Sequence, residues 1–182
     1  MLVTLVVRVE NKPGVLTRVA SLFRRRGFNI ESLTVGHTEK QGVSRMTIVV
    51  DTDELGAMRI EANLYKLVNV LSVENVSDTP SVFRDLAMIK VAATPDTRAE
   101  IMQLAQVFRA RIVDVNTESL VIEGTGTEDK IDGLIEVLRD YGILEMARTG
   151  RLAMTRGIAK DASVSARAAD DTRPGESVSY SV

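Results

Sequence analysis

Hydrophobic and polar residues alternate at the start of the chain and then change to a helical spacing. Every second residue from Val3 to Val9 is apolar, which is the period of a β-strand. Val6 interrupts the polar face, so we predict a central strand with apolar residues on both sides. From Val15 the apolar positions follow the period of an amphipathic helix, which Gly27 ends. Arg24 to Arg26 fall in its last turn, where positive charge suits the negative end of the helix dipole.

The pattern continues with two strands, a helix and a further strand. The two strands are predicted at 28–38 and 43–51, and a break in the alternation near Ser32 indicates a β-bulge. Apolar residues at helical spacing run from Ala57 to Val68, and a strand at 70–76 follows. The first unit therefore has the order βαββαβ.

The same order recurs in the second half of the chain. Thr97 and Glu100 have the spacing of a capping box and open a helix, and a second helix follows Thr127. The predicted strands of this unit are 86–93, 111–115, 120–123 and 143–147. The repeat predicts an α+β fold of two tandem ferredoxin-like βαββαβ domains.

The repeat also sets the predicted domain boundaries. The first domain covers 1–76, a linker covers 77–83, and the second domain covers 84–157. Residues 158–182 are rich in Ala, Ser, Asp and Arg without periodicity, which predicts a disordered tail.

Composition restricts the classes of function. Of the 182 residues, 45% are hydrophobic but only 4% are aromatic, so the cores must be aliphatic. The 23 Lys and Arg nearly balance 25 Asp and Glu, which gives no overall basic field for nucleic acid or anionic lipid. Without cysteine the chain has no disulfide, thiolate metal site or thiol nucleophile.

The distribution of apolar residues predicts a cytoplasmic protein without a membrane segment. No apolar run approaches the roughly 20 residues that span a bilayer. Arg8 and Glu10 interrupt the N-terminal apolar segment, which does not resemble a signal peptide.

Several apparent motifs favour structural interpretations. Gly124 to Gly126 lack the lysine of a phosphate-binding loop, which favours a tight strand-to-helix turn capped by Thr127. Asp51 and Asp53 begin like a calcium loop, but Leu55 occupies a ligand position, so we predict an acidic helix start and no metal site.

His37, the only histidine, is interpreted as a surface strand residue.

An RNA-binding function is a remote alternative, because RNA-recognition domains share the ferredoxin-like order. Those domains stack bases on aromatic residues of the sheet. The corresponding strand here, 42–49, carries no aromatic residue, and the net charge is -2.

The turn from Asn11 to Gly14 is the strongest candidate site. It leads directly into the first helix, whose start presents unpaired N–H groups that favour a small carboxylate. Gly14, Val15 and Leu16 can offer these groups, Asn11 can accept from an ammonium group, and Val15 or Leu16 can border an apolar pocket. An ordinary turn with Asn11 near a helix cap explains the same residues.

The residues around this turn resemble a known family. The segments 10–23, 25–35 and 44–48 are similar to the regulatory small subunit of acetolactate synthase, also called acetohydroxyacid synthase. The similarity continues through 64–68, 82–86, 107–115 and 146–150 and covers roughly residues 1 to 157. The first unit resembles an ACT domain, a common amino-acid-sensing module.

The resemblance implies a non-catalytic subunit in the biosynthesis of valine, leucine and isoleucine. Such a subunit binds the catalytic large subunit, raises its activity and confers feedback inhibition by valine. The thiamine diphosphate, Mg²⁺ and FAD of the enzyme are then expected on the catalytic partner, with no cofactor in this chain. Leucine and isoleucine differ from valine by one methylene or by branching, which a pocket distinguishes by only about 1–3 kcal/mol per methylene.

The resemblance also implies a homodimer whose ACT domains pair side by side, with the effector between them. Asn11, Gly14, Val15 and Leu16 come from one protomer, and Asn29 and Ile30 from the other. The alternative is a free-standing ACT-domain sensor of amino acids that acts on another enzyme or on transcription.

Overall fold

The computed structural model describes residues 1–157, and the tail predicted for 158–182 lies outside the described residues. Nine strands and four helices are present in this part of the chain. In order, they are β1 (Leu2–Glu10), α1 (Val15–Arg26), β2 (Ile30–His37), β3 (Val43–Asp51), α2 (Glu54–Leu64), β4 (Val70–Asn75), β5 (Ser81–Ala92), α3 (Arg98–Val107), β6 (Arg111–Val115), β7 (Ser119–Gly126), α4 (Glu128–Arg139), β8 (Ile143–Arg148) and β9 (Leu152–Thr155).

The first domain is an antiparallel sheet with two helices on one face. The strand order is β2-β3-β1-β4, so β1 is central and β2 is an edge strand. The register of β2 against β3 shifts between Ile30 and Ser32, which confirms the bulge near Ser32. The residues buried between this sheet and α1 and α2 are aliphatic apart from Phe23: Val3, Leu5, Val7, Val9, Val15, Val19, Leu22, Met46, Ile48, Val50, Ala57, Ile60, Leu64 and Val73.

The second domain repeats this arrangement, which confirms the predicted α+β fold. Its strand order is β6-β7-β5-β8, with α3 and α4 on one face. The buried cluster is again aliphatic: Ala87, Ile89, Val91, Ala93, Ile101, Ala105, Leu120, Ile122, Ile131, Leu134, Ile135 and Leu138.

The two domains are joined by the long strand β5. Its residues 85–92 belong to the sheet of the second domain, whereas its first four residues pair with β9. Val6, on the sheet face opposite α1 and α2, packs with Val76, Ala153 and Phe83 in a small third cluster. The ribbon of β5 and β9 therefore covers the helix-free face of the first sheet.

Several local predictions need correction. β5 begins at Ser81, inside the segment 77–83 that was predicted as linker. Val68 does not belong to the buried helix face, because α2 ends at Leu64 and Val68 is 94% exposed.

Both threonines predicted as helix caps occupy the N-cap position, but neither makes the expected side-chain hydrogen bond. The Thr97 hydroxyl makes no cap hydrogen bond but accepts from the Thr94 N–H at 3.0 Å, so no capping box with Glu100 forms. Thr127 occupies the N-cap position of α4 without a side-chain hydrogen bond. Asp53, in contrast, caps α2 by accepting from the Gly56 N–H at 2.6 Å.

In residues 1–157, no helix is long and apolar enough to cross a membrane.

Candidate functional site

The turn between β1 and α1 is held by backbone hydrogen bonds. The Asn11 N–H donates to the Gly42 carbonyl at 2.7 Å, and the Lys12 N–H donates to the Glu10 carbonyl at 2.9 Å. The first of these bonds ties the turn to the loop between β2 and β3. The turn and that loop therefore lie together at one end of the sheet.

Helix α1 begins without a side-chain cap. Its N-cap residue is Gly14, at a φ of 80°, which favours glycine because it has no Cβ. The Val15 N–H donates to the Lys12 carbonyl at 3.4 Å, but the N–H groups of Leu16 and Thr17 have no acceptor in the described part of the chain. The helix start therefore keeps free donors and the positive end of its dipole toward solvent.

The side chain of Asn11 is directed toward the edge strand. Its Nδ2 lies 3.4 Å from Nδ1 of His37, the last residue of β2, and both side chains are exposed. Sequence reasoning interpreted His37 only as a surface strand residue. The predicted position of His37 near the end of a strand was visible in the sequence. Hydrophobic periodicity, however, does not predict that this strand end contacts the turn at Asn11.

A polar network fixes the end of β1 behind the turn. The Asn69 side chain donates to Glu10 Oε2 at 2.5 Å and accepts from the Arg18 guanidinium, and Lys12 forms an ion pair with Glu10 at 3.1 Å. The hydrogen bond from Asn69, together with Lys12, lowers the pKa of Glu10 below its ordinary range. The network thus joins β1, α1 and the loop before β4.

The two apolar residues at the helix start face different environments. The side chain of Val15 is 4% exposed and packs in the core of the first domain, whereas that of Leu16 is 44% exposed. Leu16 is therefore the residue that offers apolar surface beside the free N–H groups.

Asn29 and Ile30 lie at the opposite end of the same sheet. Ile30 pairs with Val50 of β3, whereas Glu10, just before the turn, pairs with Val43. Val43 and Val50 are seven positions apart along β3, which corresponds to about 23 Å. A single chain therefore brings Asn11, Gly14 and Leu16 together but does not bring Asn29 and Ile30 to them.

The site has the chemistry of a receptor for a small zwitterion. Free backbone donors at a helix start attract a carboxylate. Because Nδ2 of Asn11 is directed at His37, its Oδ1 is left to accept from an ammonium group. Within residues 1–157, no group of three or more His, Asp or Glu side chains is arranged to hold a metal ion.

Family models match both domains. The model described as "AHAS small subunit-like ACT domain" matches residues 5–72, and the one described as "Small subunit of acetolactate synthase" matches residues 84–157.

Known proteins are similar over most of the chain. A probable acetolactate synthase small subunit of Archaeoglobus fulgidus is 54% identical over 154 residues, which are 85% of this chain and 96% of that one. An acetolactate synthase small subunit of Mycolicibacterium smegmatis is 51% identical over 85% of this chain and 91% of its own length. The crystal structure of an acetolactate synthase small subunit from Thermotoga maritima matches with a TM-score of 0.81 and 41% identity, covering 87% of this chain and 99% of that one.

Proposed function

This chain belongs to the family of acetolactate synthase small subunits, and from that premise we propose that it activates the catalytic large subunit and inhibits it when valine binds. The observation that carries the valine site is the uncapped start of α1 beside Asn11 and the edge strand β2. The large catalytic subunit is the partner that a small regulatory subunit requires.

The separation of the two halves of the site supports pairing of two ACT domains. The outer edge of β2 pairs with no strand of the described chain, and such an edge favours pairing with another strand. If two copies of β2 pair antiparallel about a twofold axis near Leu33 and Thr34, Ile30 of the second copy lies opposite His37. Asn29 of the second copy then reaches the side of the turn where Asn11 contacts His37.

In this arrangement each chemical group of valine has a partner. The carboxylate accepts from the free N–H groups at the start of α1, and Asn11 Oδ1 accepts from the ammonium group. The isopropyl group packs against Leu16 of one protomer and Ile30 of the second. Two sites form in each dimer because the twofold axis repeats every contact.

Inhibition requires that valine distinguish two arrangements of the dimer. A ligand that binds both arrangements equally shifts nothing, so valine must bind the less activating one more tightly. Bridging two protomers meets this condition, because only one relative position of the two β2 strands completes the site. In this proposal the catalytic partner binds the thiamine diphosphate, Mg²⁺ and FAD of the reaction. This chain holds no cofactor and acts only through its contacts with that partner.

The first test measures activity of the cognate catalytic subunit alone, with this chain, and with this chain plus valine. We expect activation by the chain and reversal by valine. Leucine and isoleucine in parallel assays establish which effector is preferred. Absence of activation by folded chain would contradict the proposal and favour a free-standing amino-acid sensor.

The site itself is tested by the substitution Asn29→His. The bulkier ring at the start of β2 would occupy the space expected for valine across the dimer interface. We expect valine inhibition to be lost, with an unchanged circular dichroism spectrum and an unchanged elution volume on size exclusion. Gly14→Asp, which places a carboxylate at the start of α1, should have the same effect through repulsion of the ligand carboxylate. Full valine sensitivity in either folded variant would show that the site lies elsewhere.

A further inference from the structure

The turn between β8 and β9 joins the second domain to the edge strand β2. The backbone N–H of Arg151 donates to Ser32 Oγ at 3.0 Å. Thr34 Oγ1 lies within hydrogen-bond distance of two carbonyl oxygens of the turn, that of Thr149 at 3.2 Å and that of Arg151 at 3.3 Å. Two hydroxyl groups on one face of β2 thus hold residues 149–151.

Gly150 allows this close approach. Its φ is 81°, and a Cβ at this position would collide with Ser32 Oγ. The turn therefore lies directly against β2, with no space for a side chain between them.

The side chain of Arg151 extends the contact to other elements. It donates to Thr4 Oγ1 of β1 at 3.0 Å, forms an ion pair with Glu128 at the start of α4, and lies 5.2 Å from the centre of the Phe83 ring. Arg45 of β3 adds a hydrogen bond to the Ala153 carbonyl at 2.6 Å. Because the same turn is hydrogen-bonded to Ser32 and Thr34 of β2, a displacement of β2 relative to β1 would disturb the contacts on both sides of the turn.

The turn is anchored firmly to the second domain on its other side. Arg148 donates to Asp85 Oδ2 at 2.6 and 2.9 Å and to Asp132 of α4 at 2.7 Å. Burial disfavours the charge of Arg148, but the hydrogen bonds to the two carboxylates outweigh it and raise its pKa. A shift of the turn would therefore move β5 and α4 with it.

A cleft next to the turn leaves room for such a shift. It has a volume of about 450 Å³ and lies between the two domains, with Glu31, Ser32, Glu128 and Gly150 on its walls. Asn29 donates to Glu31 at 2.5 Å, so a residue of the proposed valine site is in direct contact with a wall of the cleft.

We infer that the turn of residues 149–151 transmits valine binding from β2 to the second domain, with Ser32 and Thr34 as the positioning residues. This inference rests on the proposed function, because valine must first bind at the paired β2 strands. The coupling between the effector site and the second domain is thus assigned to two half-buried hydroxyl groups.

The test is hydrogen–deuterium exchange of the full chain with and without valine, followed by mass spectrometry. In the wild type we expect valine to slow exchange around 11–16 and 29–37 and also in 149–155, the latter by about fivefold or more. In the double variant Ser32→Ala with Thr34→Val, the first two segments should keep their response and 149–155 should lose it. Thr34→Val alone should weaken the response of 149–155, and Thr34→Ser, which keeps the hydroxyl, should retain it.

Ser72→Ala is the matched control. It removes a hydroxyl from β4 of the same sheet, and this hydroxyl has no hydrogen-bond partner in the described part of the chain. Its exchange pattern should equal that of the wild type.

The outcomes separate the two proposals. A valine response at 11–16 without one at 149–155 in the wild type would overturn the coupling and leave the proposed function intact. Persistence of the 149–155 response in the double variant would do the same. No response in any segment of the wild type would overturn the valine site and the coupling with it.

Discussion

Several charged side chains in this protein form ion pairs, and the burial of each pair determines how much it contributes to the stability of the fold. Asp85 is 5% exposed beside Arg148, whereas Lys90 and Glu145 pair on the surface of the same domain. The sequence marks all four residues only as charged. Their different burial follows from the register of β5 with β8, which the sequence does not specify to the residue.

The buried pair predicts a large difference between two substitutions. Asp85→Ala leaves the Arg148 guanidinium without its main partner and should lower the free energy of unfolding by about 3 kcal/mol. Glu145→Ala, the matched control, breaks an exposed pair with Lys90 and should cost less than about 1 kcal/mol. Urea denaturation followed by circular dichroism measures both, and equal losses would contradict this assignment.

The lowered pKa of Glu10 predicts that the stability of the fold depends on pH. Its pKa is lowered in the folded protein, chiefly by the hydrogen bond from Asn69, so the ionised carboxylate stabilises the fold. This stabilisation is present above about pH 4.3, the ordinary pKa of a glutamate, and is lost as the pH falls through the lower folded value. The stability difference between the wild type and Glu10→Gln should therefore be largest near neutral pH and disappear in acid. Denaturant midpoints from pH 7 to pH 3 check this, and a constant difference would show that the carboxylate charge is not responsible.

At the scale of the elements, strands and helices with clear periodicity were predicted well. Gly27 ends α1 in the left-handed conformation, with Arg24 to Arg26 in the last turn as expected. The four-residue strand β9 was not predicted, because it is too short to show a period and its pairing partner lies about 70 residues earlier in the chain. The capping box at Thr97 does not form because its hydroxyl accepts from the Thr94 N–H instead.

The turn at Gly150 predicts a strong effect of one methyl group. Gly150→Ala forces a residue with a Cβ into the left-handed region and against Ser32, which should lower the free energy of unfolding by about 1–2 kcal/mol or more. Gly36→Ala on β2 is the matched control, because its Cβ would meet nothing within 4 Å and its φ is not in that region. Chemical denaturation compares the two, and an equal effect would mean that the turn does not lie against β2.

At the scale of the whole molecule, each sheet is predicted from sequence but their contact is not. Ser32, Thr34 and Arg151 are polar residues of the kind that sequence analysis assigns to a solvated surface. Their contacts depend on where the ribbon of β5 and β9 crosses the first sheet, which no local pattern encodes. For the same reason the candidate site was predicted at Asn11 and Gly14, whereas its neighbour His37 was missed.

The covered sheet face predicts that the first domain depends on the second. Val6 and Val49 are 1% and 3% exposed in the intact chain, and removal of the second domain would expose this face to water. A fragment of residues 1–78 should therefore unfold at lower urea concentration than a fragment of residues 1–157, which keeps both domains. Equal midpoints would show that the two domains are stable independently.

The absence of a cap on α1 has a consequence for protein engineering. A helix with glycine at its N-cap forgoes only about a few tenths of a kcal/mol relative to one with a side-chain cap, and any side chain at Gly14 would be strained at its φ of 80°. A capping side chain that satisfied the free N–H groups would take the place proposed for the ligand carboxylate. A cap engineered at this position should therefore gain little stability and remove the proposed response to valine.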